Sequence, residues 1–357
     1  MNNASFCDVG KGAQRPLGPL MLPLFLGFEG PQLTADERAL FREADPAGFI
    51  LFARNVDTLP QLRALTDDLR MLSGRETLPI LVDQEGGRVQ RLGPPHWPAH
   101  PPGAPFAALY GASPLAGIEA ARLHGIAIGM ELAEAGISVD CLPLLDVPVA
   151  GAHDIIGDRA LGTDPNGVAA LGDAVLRGLR QAGICGIVKH IPGHGRAAAD
   201  SHESLPVVDA SRADLEQDFA PFRALASAPM AMTAHVRYDA VDPARCASTS
   251  PVVVQDVIRR DIGFGGLLMC DDLHMSALEG SLADRLEGAL MAGCDIALHC
   301  TGRFDENRAL CAVAPAITSE AEDRLAAAMA WPDSPSRPEA DAAARRDDLL
   351  GTVSAVS

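Results

Sequence analysis

Short apolar runs alternate with helix-like segments along the chain, and this alternation restricts the fold more than any other feature. Eight runs have the composition of buried strands, at Met21–Gly27, Gly48–Phe52, Pro79–Asp83, Ser138–Leu145, Gly186–His190, Met230–His235, Gly266–Cys270 and Asp295–His299. Strands that alternate with helices form parallel sheets, and strands that are apolar throughout are covered on both faces. Eight such units predict an α/β fold, a single (β/α)8 barrel of the TIM type.

Seven segments with helical periodicity lie between these runs. They are Ala35–Glu43, Leu59–Leu72, Leu115–Glu134, Gly167–Ala182, Arg212–Ala226, Pro251–Ile262 and Leu282–Ala292. Thr34, three residues before Glu37, gives the first of them the pattern of a capping box. The alternative fold is a doubly wound open sheet, which normally carries a glycine-rich phosphate-binding turn after its first strand. Residues 27–30 (GFEG) do not form such a motif, so the closed barrel is favoured.

The charge and the cysteines of the chain restrict its partners and its compartment. A formal net charge of −18 disfavours binding to nucleic acid or to anionic membranes. The eight cysteines include no CxxC pair, which is typical of a protein from a reducing cytoplasm. The apolar segment Leu17–Phe28 lacks a small-x-small cleavage site, which disfavours a signal peptide. We therefore expect a cytoplasmic protein that binds neither nucleic acid nor membrane.

One domain is expected to occupy most of the chain. Residues 1–331 contain all eight predicted units and form the predicted (β/α)8-barrel domain. Residues 332–357 begin with a stretch rich in Pro, Ala, Asp and Arg, which predicts a C-terminal tail or an outer helix. The sequence leaves the oligomeric state open, with a monomer favoured.

Polar residues follow the carboxyl ends of most of the predicted strands, where barrel enzymes carry their active sites. These residues are Asp83–Arg88 with Arg91, Asp146, Lys189–Gly195, His235, Asp271–Asp272 and His299. A single buried polar group is often structural, but five or six at one rim are expensive to desolvate without a ligand. The pattern predicts a ligand-binding site at this end of the barrel.

Four histidines leave a metal-dependent hydrolase open as an alternative: His190, His194, His202 and His235. His190 and His194 are four residues apart, the spacing of a helical metal-binding pair. Pro192 and Gly193 lie between them, so the segment is a loop and the helical argument does not apply. The chain also lacks an HExxH motif, and we expect no bound metal.

Four motifs occur in order between Leu20 and Cys300. They are Asp83–Arg91 (DQEGGRVQR), Ile156–Arg159 (IGDR), Lys189–Gly195 (KHIPGHG) followed by Asp200–His202 (DSH), and Cys270–Met275 (CDDLHM). Together they resemble the motifs of the NagZ-type β-N-acetylglucosaminidases (β-hexosaminidases) of glycoside hydrolase family 3. The sequence departs from the family pattern at Cys270 (usually Ser or Thr) and Ile191 (commonly Phe), and His274 stands at a variable position.

The resemblance implies a role for each of eight residues. Asp271 would be the nucleophile, and His202 would be the acid/base, with Asp200 as its partner. The sugar would be held by Asp83, Arg91, Arg159, Lys189 and His190. Histidine titrates near neutrality and can give and then take a proton at cytoplasmic pH. For Arg159 an alternative role stays open, as an ion-pair partner of Asp158 or Asp154.

The segment after the fifth predicted strand is expected to be a mobile loop. Gly193 and Gly195 favour unusual φ angles and would let the Asp200–His202 pair swing in and out of the site. We therefore predict high mobility for about Gly193–Ser204.

The resemblance also implies the reaction. It indicates a retaining, exo-acting hydrolase (EC 3.2.1.52), without a cofactor, that removes terminal N-acetylglucosamine from N-acetylglucosaminyl-anhydromuramyl peptides during cell-wall recycling in a Gram-negative cytoplasm. An aromatic content of 4% agrees with a site for one terminal sugar. Three alternatives remain: a family 3 β-glucosidase, a phosphorylase in which phosphate replaces water, and a non-catalytic sugar-binding barrel. A histidine acid/base would avoid the repulsion that a carboxylate exerts on phosphate.

Overall fold

A closed barrel of eight parallel strands lies at the centre of the protein, in a computed structural model that describes residues 21–197, 199–201, 203–332 and 339–354. The strands are β1 (Leu22–Leu26), β2 (Pro46–Leu51), β3 (Ile80–Val82), β4 (Val139–Asp140), β5 (Cys185–Ile191), β6 (Met230–Thr233), β7 (Leu267–Asp272) and β8 (Ile296–His299). Each strand pairs with its neighbours in the chain, and β8 closes the barrel on β1. The predicted (β/α)8 barrel is confirmed.

Helices surround the barrel. They are α1 (Ala35–Ala44), α2 (Leu59–Ser73), α3 (Ala104–Ala112), α4 (Pro114–Glu134), α5 (Pro165–Gln181), α6 (Arg212–Ala224), a π-helix (Val252–Ile262), α7 (Leu282–Ala292), α8 (Phe304–Val313), α9 (Ser319–Met329) and α10 (Ala342–Ser354). All seven predicted helical segments are helical, although the segment before β7 is a π-helix. The sequence did not indicate α3, α8 or α9. Helix α3 is apolar on most of its surface and so lacks the periodic pattern, while α8 and α9 follow the last predicted strand.

The first helix begins as its capping box predicts. The Thr34 hydroxyl accepts a hydrogen bond from the Glu37 amide (3.1 Å), and the Glu37 carboxylate accepts one from the Thr34 amide (2.8 Å). Two backbone donors that an isolated helix leaves unpaired are thereby satisfied.

Side chains of the strands pack into two apolar layers. Phe25, Ile50 and Leu298 belong to the layer inside the barrel. Their neighbours Leu24 and Phe49 belong to the layer between strands and helices. This follows from the alternation of side chains along a strand. Residues of α9 pack against the inner layer at the amino end of the barrel, so the carboxyl end carries the site.

Two differences between the observed strands and the predicted runs bear on the site. The predicted strand Ser138–Leu145 contains a regular strand only at Val139–Asp140, because Pro143 lacks an N–H and interrupts the ladder. The chain nevertheless stays beside β5, with the Leu145 amide donating to the Lys189 carbonyl (2.8 Å). Strand β7 extends beyond its predicted end at Cys270, so Asp271 is part of the strand.

The C-terminal segment contains a packed helix. Of the two predicted alternatives, a tail or an outer helix, the described part has helix α10, which lies against α3 and α4 and buries Ala342. Residues 333–338 and 355–357 lie outside the described part, and a domain boundary after residue 331 stays a prediction. No helix within the described ranges is both long and apolar enough to cross a membrane. The seven described cysteines are free thiols, five of them buried; Cys7 lies outside these ranges.

Candidate active site

A cavity of about 290 Å³ opens at the carboxyl end of the barrel. Six of the eight predicted site residues line it: Asp83, Arg91, Arg159, Lys189, His190 and Asp271. The volume is near the lower limit of sites for small ligands, which span roughly 300–1,000 Å³. The cavity therefore suits a compact ligand better than a long chain.

Charged side chains form a continuous network on one wall of the cavity. Lys189 Nζ lies 2.9 Å from Asp83 Oδ1 and 2.6 Å from Glu85 Oε1. Arg159 donates two hydrogen bonds of 2.8 Å to the Glu85 carboxylate, and Arg91 Nη2 lies 3.2 Å from Asp83 Oδ2. We call these five residues the Lys189 network. Each member fixes the position of the next, so the wall is ordered before a ligand arrives.

The members of the Lys189 network hold one another in their charged forms. Burial raises the pKa of Asp83, but the positive charges of Lys189 and Arg91 more than offset this and hold the pKa well below its usual range. Burial likewise raises the pKa of Glu85, and Lys189 and Arg159 outweigh it and lower that pKa. For Lys189, burial lowers the pKa, while the two carboxylates raise it to a value above its usual range. Two anions and three cations therefore give this wall a net positive charge at neutral pH.

Glu85 was expected at the barrel rim but was not among the eight residues with a predicted role. The structure makes it the partner of Arg159, so the alternative pairing of Arg159 with Asp158 or Asp154 is wrong; Asp158 instead lies 3.4 Å from Arg88. The sequence contained a usable signal. Glu85 comes two residues after Asp83 on extended backbone, and such residues point to the same side.

Asp146 also organises the site, a role that its predicted place at the barrel rim did not specify. This buried carboxylate follows β4, and its Oδ2 lies 2.8 Å from His190 Nδ1. Its Oδ1 accepts hydrogen bonds from the backbone amides of His194 (2.6 Å) and His190 (3.2 Å). Burial raises the pKa of Asp146, but the two histidines outweigh it and lower the pKa to about 2. Asp146 therefore fixes both the His190 ring and the turn that follows β5.

The three described histidines of the alternative metal site, His190, His194 and His235, are paired with protein groups. Nδ1 of His190 is bonded to Asp146, Nε2 of His194 lies 3.3 Å from the Ser201 hydroxyl, and Nδ1 of His235 lies 2.7 Å from the Ser248 hydroxyl. Across the residues that the structure describes, which exclude His202, no group of three or more His, Cys, Asp or Glu side chains is arranged to hold a metal ion.

Asp271 lies at the end of β7 with its carboxylate at the cavity. Its Oδ1 accepts a hydrogen bond of 2.8 Å from the Asp272 amide. The Asp272 carboxylate in turn accepts from the amides of His274 (3.1 Å) and Cys300 (3.0 Å), which ties the end of β7 to the end of β8. Asp271 is thus a half-buried carboxylate on a rigid strand end, the placement that a nucleophile requires.

The segment after β5 brings Ser201 to the cavity, and Asp200, which precedes it, is half-buried. Ser201 lines it, and the Ser201 carbonyl accepts a hydrogen bond of 3.2 Å from the Ala277 amide. His202 and Ala198 lie outside the described residues, so the predicted acid/base has no described position. The expected mobility of Gly193–Ser204 stays a prediction.

The two glycines of this segment are required for different reasons. Gly193 has φ of 138°, which favours glycine, as predicted. For Gly195 the prediction of an unusual φ is wrong. A side chain there would place its Cβ 2.1 Å from the Val147 carbonyl oxygen, so Gly195 is required because the backbone at Val147 approaches closely.

Comparison with known proteins identifies the family. The N-terminal domain of glycosyl hydrolase family 3 matches residues 17–330. The chain belongs to glycoside hydrolase family 3. The resemblance inferred from the four motifs is thereby confirmed.

Relatives of this family 3 enzyme include proteins named β-hexosaminidase and a solved structure of similar fold. A protein from Alkalilimnicola ehrlichii named β-hexosaminidase is 40% identical over 286 residues, which is 79% of this chain and 81% of the relative. A β-hexosaminidase from Aromatoleum aromaticum is 37% identical and covers 89% of both chains. The crystal structure of NagZ from Neisseria gonorrhoeae with N-trifluoroacetyl-D-glucosamine is similar with a TM-score of 0.83 at 30% identity, covering 94% of this chain and 99% of that chain. The chain is a glycoside hydrolase, a β-N-acetylhexosaminidase of family 3.

Proposed function

We propose that this family 3 enzyme removes terminal β-linked N-acetylglucosamine with retention of configuration, through a covalent intermediate on Asp271. The observation that carries the proposal is that Asp271, on the rigid end of β7, shares one compact cavity with the Lys189 network. A fixed carboxylate opposite groups that can hold sugar hydroxyls is the arrangement that retaining glycoside hydrolysis needs.

The reaction proceeds in two displacements. In the first, the Asp271 carboxylate attacks the anomeric carbon, the bond to the leaving oxygen breaks, and His202 gives its proton to that oxygen. In the second, water loses a proton to His202 and displaces Asp271, which regenerates both groups. Asp200, two residues from His202, stabilises the imidazolium that is present before the first step and forms again in the second.

The Lys189 network places the sugar for attack. Asp83 accepts hydrogen bonds from neighbouring hydroxyls, while Lys189, Arg159 and Arg91 donate to hydroxyl oxygens. Because the network is bonded internally, it loses little freedom when the sugar binds. His190, held by Asp146, is the further contact to the sugar.

The substrate that we propose is an N-acetylglucosaminyl-anhydromuramyl peptide, released during cell-wall recycling in the cytoplasm. Support comes from the resemblance to the NagZ-type enzymes and from the β-hexosaminidase names of relatives at about 40% identity. The ligand of the similar Neisseria gonorrhoeae NagZ structure is an N-acylated glucosamine, which supports the same sugar. The compact cavity agrees with recognition of one terminal unit.

Nitrophenol release tests this function. We expect turnover of 4-nitrophenyl β-N-acetylglucosaminide in EDTA, with at least about 100-fold lower kcat/KM for the β-glucoside, because the glucoside lacks the acetamido group of the proposed substrate. Equal kcat/KM values for the β-glucoside and the β-N-acetylglucosaminide would favour a β-glucosidase. Loss of activity in EDTA would favour a metal enzyme. A sugar phosphate formed in phosphate buffer would indicate a phosphorylase. No turnover by folded protein, with N-acetylglucosamine still bound, would indicate a sugar-binding barrel.

A further inference from the structure

A buried arginine from the C-terminal helix reaches the back of the active-site wall. Arg346 of α10 is 2% exposed, and its Nη1 lies 2.8 Å from His100 Nδ1 and 3.3 Å from His124 Nδ1. His100 precedes α3 and His124 lies in α4, and both imidazoles are buried. We call these three residues the Arg346 cluster. It joins three separate elements of the fold at one point.

The chemistry of arginine sets the hydrogen-bonding roles of both imidazoles. A guanidinium donates and never accepts, so each histidine must present an unprotonated Nδ1 to Arg346. Each neutral ring then carries its proton on Nε2, and this atom must donate. His124 Nε2 donates to the Glu85 carbonyl (3.1 Å), and His100 Nε2 donates to the Glu131 carboxylate (3.0 Å). Burial, then the positive charge of Arg346, lower the pKa of His124 well below its usual value, which agrees with a neutral ring.

Both histidine residues form hydrogen bonds to the hairpin that carries Glu85 of the sugar-binding wall. Residues 84–86 and 89–90 pair as a short antiparallel hairpin after β3. His124 holds the Glu85 carbonyl, and the His100 carbonyl accepts from the Gly87 amide (2.8 Å). Glu85 is also the member of the Lys189 network that binds both Lys189 and Arg159. The backbone under Glu85 is therefore fixed from behind by groups that never reach the cavity.

We propose that Arg346 is a positioning residue for sugar binding, acting through His124 on Glu85 and thereby on Lys189 and Arg159. Helix α10 is then part of the sugar-binding apparatus and not only a cover for α4. The inference rests on the proposed function for the identity of the sugar, and on the geometry of the Arg346 cluster for everything else. Loss of Arg346 frees the His124 tautomer, loosens Glu85 and weakens the hold on the sugar in ground state and transition state alike.

Steady-state kinetics of Arg346→Met and of the pair His124→Leu and His124→Gln test this role. Uniform loss of binding raises KM and leaves kcat unchanged, so we expect Arg346→Met and His124→Leu to raise KM about three- to tenfold with kcat within about twofold. His124→Gln keeps an amide donor near the place of Nε2 and should restore KM to within about twofold of the wild type. Arg345→Ala, on the exposed side of the same helix, is the matched control and should leave both constants unchanged.

A merely structural role gives a different pattern. It would lower the melting temperature and the active fraction of every variant while leaving KM of the folded fraction unchanged, and that result would overturn the inference. An equal effect of His124→Leu and His124→Gln on KM would overturn it too. If Arg346→Met does not fold, this pair of variants tests the inference alone. Turnover by the wild type alone decides the proposed function. If no turnover is seen, the Kd of the wild type and of each variant for N-acetylglucosamine replaces KM and tests the inference in the same way.

Discussion

Replacement of Asp271 by alanine is expected to lower kcat for 4-nitrophenyl β-N-acetylglucosaminide by about 10⁴-fold or more, with a small change in the stability of the fold. The nucleophile forms the covalent bond on which both displacements depend, and removal of such a group leaves only binding and acid catalysis. Asp271 is half-buried at a strand end, and its described hydrogen bond is to the neighbouring Asp272 amide. The kcat of each protein for 4-nitrophenyl β-N-acetylglucosaminide is measured by nitrophenol release in stopped assays.

Two controls separate the chemistry from the fold. Asp305→Ala removes an exposed carboxylate from α8, with 84% of its side chain in solvent, and should leave kcat unchanged. Sodium azide added to Asp271→Ala should restore part of the turnover, because a small anion can occupy the space of the lost carboxylate. Wild-type activity in Asp271→Ala would contradict the assignment of the nucleophile.

Replacement of Lys189 by methionine is expected to lower the free energy of unfolding by about 3 kcal/mol at pH 7 and to raise KM strongly. Lys189 is 2% exposed and bonds both Asp83 and Glu85. Removing one partner of a buried ion pair leaves an uncompensated charge, which typically costs about 3–5 kcal/mol. Arg91 and Arg159 remain beside the two carboxylates and place the expected loss at the lower end. Urea unfolding and the KM for the nitrophenyl substrate measure the two effects.

The pH dependence of this loss provides a second test. In the wild type the pKa of Asp83 and the pKa of Glu85 are held below their unfolded values of about 4, so their contribution is complete above pH 4 and is lost as the pH falls further. Without Lys189, burial raises both pKa values, so the folded variant takes up protons as the pH falls from 7. The difference in stability between wild type and variant should therefore shrink between pH 7 and pH 4.

An exposed cation provides the control for Lys189→Met. Arg63 pairs with Asp67 on α2, and about half of each side chain is exposed to solvent. Arg63→Met should change the free energy of unfolding by no more than about 0.5 kcal/mol, since exposed ion pairs contribute little. A loss at Lys189 equal to that at Arg63, or one independent of pH, would show that the buried network does not stabilise the barrel.

The position of a residue along its strand determined which parts of the site the sequence could reveal. Asp83, Lys189 and Asp271 each stand at the end of an apolar run, and parallel strands that close into a barrel bring such ends together. Glu85 and Asp146 were expected at the rim, but their roles were not, because those roles depend on contacts to Arg159 and His190 that lie far away in the sequence. Pro143 in particular shortens the regular part of β4 and hides how Asp146 comes to lie beside His190.

The contribution of α10 could not be predicted from local patterns. Arg346 lies 222 residues along the chain from His124 and 246 from His100. Its surroundings read as a charged, alanine-rich stretch, which the composition assigns to a tail or an outer helix. Only the packing of α10 on α3 and α4 buries this guanidinium. Long-range burial of one charged residue has no signature in the sequence around it.

Trapping of the glycosyl-enzyme tests the central claim most directly. A 5-fluoro analogue of the N-acetylglucosaminide with a good leaving group slows both displacements, because fluorine destabilises their oxocarbenium-like transition states, and lets the intermediate accumulate. After acid quench and proteolysis, mass spectrometry should find one sugar unit on the peptide that contains Asp271 and none in the Asp271→Ala variant. A sugar attached to another residue, or turnover of the analogue with no adduct on the protein, would contradict the assignment of Asp271 as the nucleophile.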